Sequence, residues 1–166
     1  WTGCNAIAGE WGHNPLPWAC DTDDGLELLG LPCYCGQHAC IETFLSGGGL
    51  RRSYAVISGE NLEEAQSAKA IENLAKNGDS FAKRTLELYA TRLAKSLANI
   101  INILDPEVVV LGGGLSNIEF LYSRVPQLWA QWIFSDRVET KLVQNTHGVS
   151  SGVRGAAWLW NTRDAD

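Results

Sequence analysis

The 166-residue sequence contains no methionine and only three histidines. It begins with Trp1, so its start is expected to be a boundary within a longer product. No stretch is long and apolar enough to cross a bilayer. No basic segment followed by an apolar one marks export, so the expected compartment is the cytoplasm. Lys and Arg total 13 against 19 Asp and Glu, a net charge of −6. The basic residues form no run of the kind that neutralises phosphates along a duplex, which argues against direct nucleic-acid binding. A single anionic ligand remains compatible, because backbone N–H groups at a helix start hold a phosphate without side-chain charge. Internal repeats and low-complexity linkers are also lacking.

What is present is enough for one domain with a real core. Apolar residues make up 45% of the chain and charged residues 19%. Residues 1–57 are rich in Gly, Pro, Cys and Trp and show little helical periodicity, so short strands and ordered loops are expected there. Residues 61–78 read as a helix, with Asn61 and Glu64 as a capping box and Gly78 at its end. Over 80–104, Leu86, Tyr89, Leu93, Leu97, Ile100 and Leu104 recur at spacings of three and four, which predicts one apolar helical face. Ala90, Ala94 and Ala98 add a small-residue stripe that permits close approach of a neighbour. Pro106 ends this helix. Glu107 to Leu111 is a β-branched run typical of a parallel strand buried on both faces. Three glycines follow, then Ser116 and Glu119 as a second capping box, with Pro126 expected to break or kink the helix they open. Val138 to Val143 reads as an edge strand and Gly152 to Trp160 as a last helix. The order helix, strand, glycine turn, helix indicates an α/β fold.

Cys33, Cys35 and Cys40 form C-x-C-x4-C. Three thiolates so close together suit tetrahedral zinc, which needs four N or S donors. Disulfide pairing is disfavoured by five cysteines, an odd number, in a chain with no export signal. Spacing alone leaves His13, His38, Cys4 and Cys20 open as the fourth ligand. Glu10 and Glu42 flank the metal residues. Each either supports a metal ligand or points into a polar cleft and accepts hydrogen bonds from substrate hydroxyls. Gly112, Gly113 and Gly114 lie where an open α/β sheet binds nucleotides, although such a run also serves as a plain strand-to-helix turn.

Together, Gly9-Glu10-Trp11-Gly12-His13, Cys33-Tyr34-Cys35-Gly36 with Cys40-Ile41-Glu42, and the Leu111 to Ser116 turn resemble the ROK family. This family contains bacterial hexose and N-acetylhexosamine kinases and some sugar-responsive repressors. The Asn14 to Pro32 insert and the Ser151 to Trp158 ending look most like its fructokinase (manno-fructokinase) branch. The resemblance implies an actin-like ATPase (ribonuclease H-like) C-terminal domain spanning 1–166, with an inserted zinc-binding loop at 10–45 and a nucleotide-side helix–strand–helix at 80–131. It selects His13 as fourth ligand beside Cys33, Cys35 and Cys40. It assigns Glu10, His13 and Glu42 to sugar hydroxyls and Gly112, Gly113 and Gly114 to the nucleotide. Structural Zn2+, ATP with Mg2+, a sugar substrate and a homodimer are the implied cofactors and partners.

Several family elements are not in this sequence: the D-x-G-G-T phosphate loop, the aspartate general base and the G-T-G-x-G loop. Asp21, Asp23 and Asp24 fall in the insert and read as solvated. The chain alone is therefore expected not to phosphorylate sugar, and its sheet is expected to have an edge that another chain or self-association covers. Two rival readings are the effector domain of a ROK-type repressor and a non-catalytic, zinc-stabilised dimerisation module.

Overall fold

The computed structural model describes residues 3–7, 9–18, 30–64 and 66–158. Its centre is a long helix whose ends are fixed by side-chain chemistry. Asp79 accepts from the Ala82 N–H at 2.6 Å at one end, and Asp105 adopts a left-handed conformation at the other, just before Pro106. This helix, α4 (Ser80–Leu104), follows α1 (Ile41–Leu45), α2 (Gly47–Ser58) and α3 (Ala68–Lys76). After it come β1 (Val108–Leu111), a 3-10 turn at Gly114–Asn117, α5 (Phe120–Trp129), β2 (Lys141–Gln144) and α6 (Ser151–Trp158).

Helices α1, α2, α3 and α5 all pack on α4. Leu86, Tyr89, Leu93, Leu97 and Ile101 of α4 meet Leu50 and Tyr54 of α2, Ile71 of α3, and Leu121, Val125 and Trp129 of α5. Ala90, Ala94 and Ala98 are fully buried, so the small-residue stripe does bring neighbours close. A smaller cluster of Leu16, Ala39, Ile41, Phe44 and Leu88 seats the N-terminal segment on the same helix. Between α2 and α4 the Arg92 guanidinium is buried, donating to Ser53 Oγ at 3.1 Å and lying 5.0 Å from the Phe44 ring centre. The expected apolar face is right for Leu86, Tyr89, Leu93 and Leu97; toward its end Ile100 is half-buried and Leu104 exposed, and Ile101 is buried instead.

Strands β1 and β2 pair in parallel, Val108 opposite Lys141 and Leu111 opposite Gln144, with α5 in the crossover. The strand was expected to be buried on both faces, and it is not. Val109 and Leu111 pack on the helical core, whereas Val108 and Val110 are 45% and 57% exposed. The described residues supply a layer for one face of the ribbon and a partner for one edge of β1. The second strand begins at Lys141 rather than Val138, where the Lys141 N–H donates to the Glu107 carbonyl.

Other expectations are corrected as well. Residues 41–57, expected to hold short strands and ordered loops, hold α1 and nearly all of α2. The Ser46 hydroxyl caps α2 through the Gly49 N–H, and Gly59 closes it at φ 77°. Helix α3 starts at Ala68 under a Ser67 cap, while Asn61 and Glu64 form a separate turn. Ser116 is not a cap: its hydroxyl donates to the Gly113 carbonyl at 2.7 Å, and α5 begins after Glu119 without a side-chain cap. Helix α5 continues through Pro126 to Trp129. The last helix ends at Trp158 among the described residues, leaving 159–160 outside them. No described helix is long and apolar enough to cross a membrane.

Candidate functional site

Two short backbone bridges assemble the site. Residues 13–16 run antiparallel to 39–41. The Leu16 N–H donates to the Ala39 carbonyl and the Ile41 N–H to the Asn14 carbonyl, each at 2.9 Å. Pro32 pairs with His38, and the Cys33 N–H donates to the Gln37 carbonyl at 2.8 Å, which closes a tight knuckle through Gly36 at φ 88°. Only a residue without Cβ takes that conformation at low cost. The first bridge presents His13, at the end of a 3-10 turn (Trp11–His13), against Cys40. The second brings Cys33 and Cys35 to the same point.

The ligand atoms of His13, Cys33, Cys35 and Cys40 all lie within 4.8 Å of one another. His13 Nδ1 is 3.6 Å from Cys33 Sγ, and Cys35 Sγ is 3.7 Å from Cys40 Sγ. A tetrahedral ion with bonds of about 2.3 Å to sulfur and 2.0 Å to nitrogen needs edges of roughly 3.8 and 3.6 Å. The two close pairs already have that spacing. The four described residues thus form a possible metal site, and their chemistry is that of a closed site with no position left for substrate. The Gln37 backbone N–H brings the Cys35 thiol down to about 7, whereas burial pushes Cys40 up to about 12. A bound cation would stabilise both as thiolates. Of the other candidate ligands, His38 and Cys4 are exposed and outside the cluster, and Cys20 lies outside the described residues.

The opposite nitrogen of His13 faces a different environment. Nε2 is 3.5 Å from Glu42 Oε2 and 3.9 Å from Glu10 Oε2. Glu42 stands in the first turn of α1, two residues after Cys40, and Glu10 directly precedes the His13 turn. The structure therefore brings Glu10, His13 and Glu42 together on one exposed face, with the sulfur atoms behind the imidazole. Sequence reasoning did not find Tyr34. Its hydroxyl is 2.9 Å from His13 Nε2, and the two rings meet edge to face at 5.1 Å. Desolvation and the nearby Glu42 charge raise the Tyr34 hydroxyl above its usual pKa. Its position between two cysteines was the available signal.

The glycine turn closes the carboxyl end of β1. Gly113 takes φ 76°, which its lack of a side chain makes inexpensive. Asn145, at the carboxyl end of β2, also escaped the sequence reading. Its amide donates to the Leu111 carbonyl and to Ser116 Oγ, both at 3.1 Å, and accepts from Ser151 at 2.8 Å. A cavity of about 340 Å³ lies beside the turn, lined by Trp11, Gly47, Tyr89, Gly112, Gly114 and Ser116 among others. Crevices beyond the carboxyl ends of parallel strands are where open α/β sheets take ligands.

With this geometry in view, comparison places the chain among known proteins. The profile described as the ROK family matches residues 1–163. The chain belongs to the ROK family. N-acetyl-D-glucosamine kinase of Photobacterium profundum is 40% identical over 158 residues, covering 95% of this chain and 51% of that protein. The chain spans about half the length of the curated relatives it matches. Among solved structures, the ROK hexokinase of Thermus thermophilus aligns with a TM-score of 0.72 at 25% identity, over 95% of this chain and 48% of that one. A ROK glucokinase of Streptomyces griseus, solved with glucose and AMPPNP, aligns at 0.74 and 24% identity, over 93% and 51%. A ROK transcriptional regulator homologous to the E. coli MLC protein aligns at 0.64 and 25% identity, over 82% and 34%. The fold is that of one half of the ROK sugar kinases, an actin-like ATPase architecture.

Proposed function

We propose that the protein carrying this chain is an ATP-dependent sugar kinase that phosphorylates a hexose hydroxyl. In this reading the chain is its C-terminal half, at work in the cytoplasm as a homodimer. Glu10, His13 and Glu42 hold the sugar, and Gly112, Gly113 and Gly114 contribute to the ATP site. One zinc sits among His13, Cys33, Cys35 and Cys40.

The two-sided His13 ring is the observation that carries this reading. Nδ1 lies 3.6 Å from Cys33 Sγ in the cluster of three thiols while Nε2 faces two carboxylates, so one side chain joins a closed cluster to an open polar face. With zinc on Nδ1, Nε2 would carry the ring proton and would donate to a sugar oxygen. The carboxylates accept from sugar hydroxyls through charge-assisted hydrogen bonds. In the transfer, the sugar oxygen bonds to the γ-phosphorus as the bond to the β,γ-bridging oxygen breaks. The hydroxyl proton passes to a base that the resemblance puts outside this chain. Zinc, when bound, holds the loop in shape, and Mg2+ accompanies ATP and offsets phosphate charge.

The name carried by the 40%-identical relative favours an N-acetylhexosamine as substrate, whereas the Asn14 to Pro32 insert and the Ser151 to Trp158 ending support fructose. We take N-acetyl-D-glucosamine as the first candidate. ADP release by the whole purified protein, measured with N-acetyl-D-glucosamine, N-acetylmannosamine, glucose, mannose and fructose, tests both levels. A preference for fructose would return the substrate to the fructokinase branch. Activity on none of them would overturn the kinase reading and leave the repressor reading, which the similarity to the ROK regulator supports.

A further inference from the structure

The inference concerns Tyr34 and rests on the sugar site proposed above. Tyr34 occupies the turn of the cysteine knuckle, between Cys33 and Cys35, and its side chain is 82% exposed. An exposed tyrosine has many orientations available, and packing does not hold this one in place. It nevertheless lies edge-on against His13, with its hydroxyl 2.9 Å from Nε2. Glu42 Oε2 lies 3.5 Å from the same nitrogen. With the Nε2 proton on His13, the tyrosine oxygen accepts from the histidine, next to that carboxylate. A sugar hydroxyl held by His13 would make the same bond beside the same carboxylate.

We infer that Tyr34 is an internal stand-in for the sugar hydroxyl, which occupies His13 Nε2 beside Glu42 in the sugar-free protein and must swing away when sugar binds. Two consequences follow from this geometry. His13 is kept hydrogen-bonded and aligned between turnovers, so substrate does not have to re-orient it. Sugar affinity is lowered by the fraction of molecules in which Tyr34 is in place, because a site that is ready only part of the time binds correspondingly more weakly. Single hydrogen bonds in water are modest, so the reduction is about two- to ten-fold. The swing needs no movement of the metal ligands, since the exposed side chain has solvent on its outer side.

Tyr34→Phe removes the hydroxyl and keeps the ring, and at such an exposed position it does not threaten the fold. Calorimetric titration of the whole zinc-loaded protein with N-acetyl-D-glucosamine and with fructose is expected to show binding tightened about two- to ten-fold for whichever sugar the wild type binds. Zinc content and the KM for ATP should stay unchanged. A second readout needs no sugar: the His13 Nε2 proton, followed by NMR, should exchange with water faster in Tyr34→Phe than in wild type. Unchanged or weaker sugar binding in the variant would overturn the stand-in, as would equal exchange of the His13 proton. Wild-type protein that binds neither sugar would instead overturn the sugar-site reading beneath it, even with the exchange difference present.

Discussion

Among the single side chains, Glu42 is the carboxylate nearer to His13 Nε2, at 3.5 Å against 3.9 Å for Glu10. Glu42→Gln keeps the shape of the side chain and replaces one charged acceptor with a donor. If the carboxylate holds a sugar hydroxyl, a charge-assisted bond of about 1.5–3 kcal/mol is weakened or lost. The expected result is a roughly ten- to hundred-fold fall in kcat/KM for the sugar, with the KM for ATP and the zinc content unmoved. Should zinc affinity fall instead, about ten- to a hundred-fold, Glu42 serves the metal ligand and not the substrate. The thiol cluster of Cys33, Cys35 and Cys40 was legible in the sequence because its spacing is local. The residue that joins them, His13, was open on spacing alone and came from the family resemblance. That His13 turns one nitrogen to the thiols and the other to the carboxylates was not legible, because ring orientation depends on bridges between residues far apart in sequence.

The individual elements differ in how strongly their own sequence determines them. Helix α4 was legible almost to the residue, because its periodicity runs over many turns and Pro106 marks its end. Helix α2 was not, since Gly47, Gly48 and Gly49 have poor helix propensity and read as loop. The structure gives Gly49 a reason that no propensity contains. A Cβ there would fall inside the van der Waals envelope of the Phe44 carbonyl, so only glycine lets α2 start so close to the end of α1. Gly49→Ala is therefore expected to force the two helices apart and cost about 1–3 kcal/mol, read as a lower Tm. Because α1 carries Glu42 and follows Cys40, the KM for sugar should rise as well. A variant as stable as wild type would show that the elbow gives way freely.

The cysteine knuckle makes a prediction of its own. Metal analysis should find about one zinc per chain, and chelation should speed amide exchange at residues 10–16 and 31–45 more than in α4, because metal binding and loop folding are coupled. Protein with no zinc, or with a Cys33–Cys40 disulfide, would contradict this.

For the molecule as a whole, the helical core is complete around α4 while the sheet is not complete among the described residues. The Val108 to Leu111 run was correctly read as a strand, but its burial was misjudged. Alternation of side chains is a property of the segment, whereas what covers each face depends on partners the segment does not encode. Val108 and Val110 therefore stand exposed, as do Ile103 and Leu104. Phosphoryl transfer requires ATP, its metal ion and an activated hydroxyl to be positioned together. The 166-residue chain, given ATP and any of the sugars named above, is expected to form no sugar phosphate above background. Turnover that tracks the purified chain would place the base within it.

The two bridges that frame the site also separate its geometry from the length of chain between them. Leu16 donates to the Ala39 carbonyl at 2.9 Å, and Ala39 donates to the Leu31 carbonyl at 2.8 Å, so both ends of the intervening segment are tied to one residue. Doubling the length of a connection fixed at both ends costs only about 0.6 kcal/mol in closure entropy. The register of the site is accordingly set by these two bonds to Ala39, and not by the number of residues between Leu16 and Leu31.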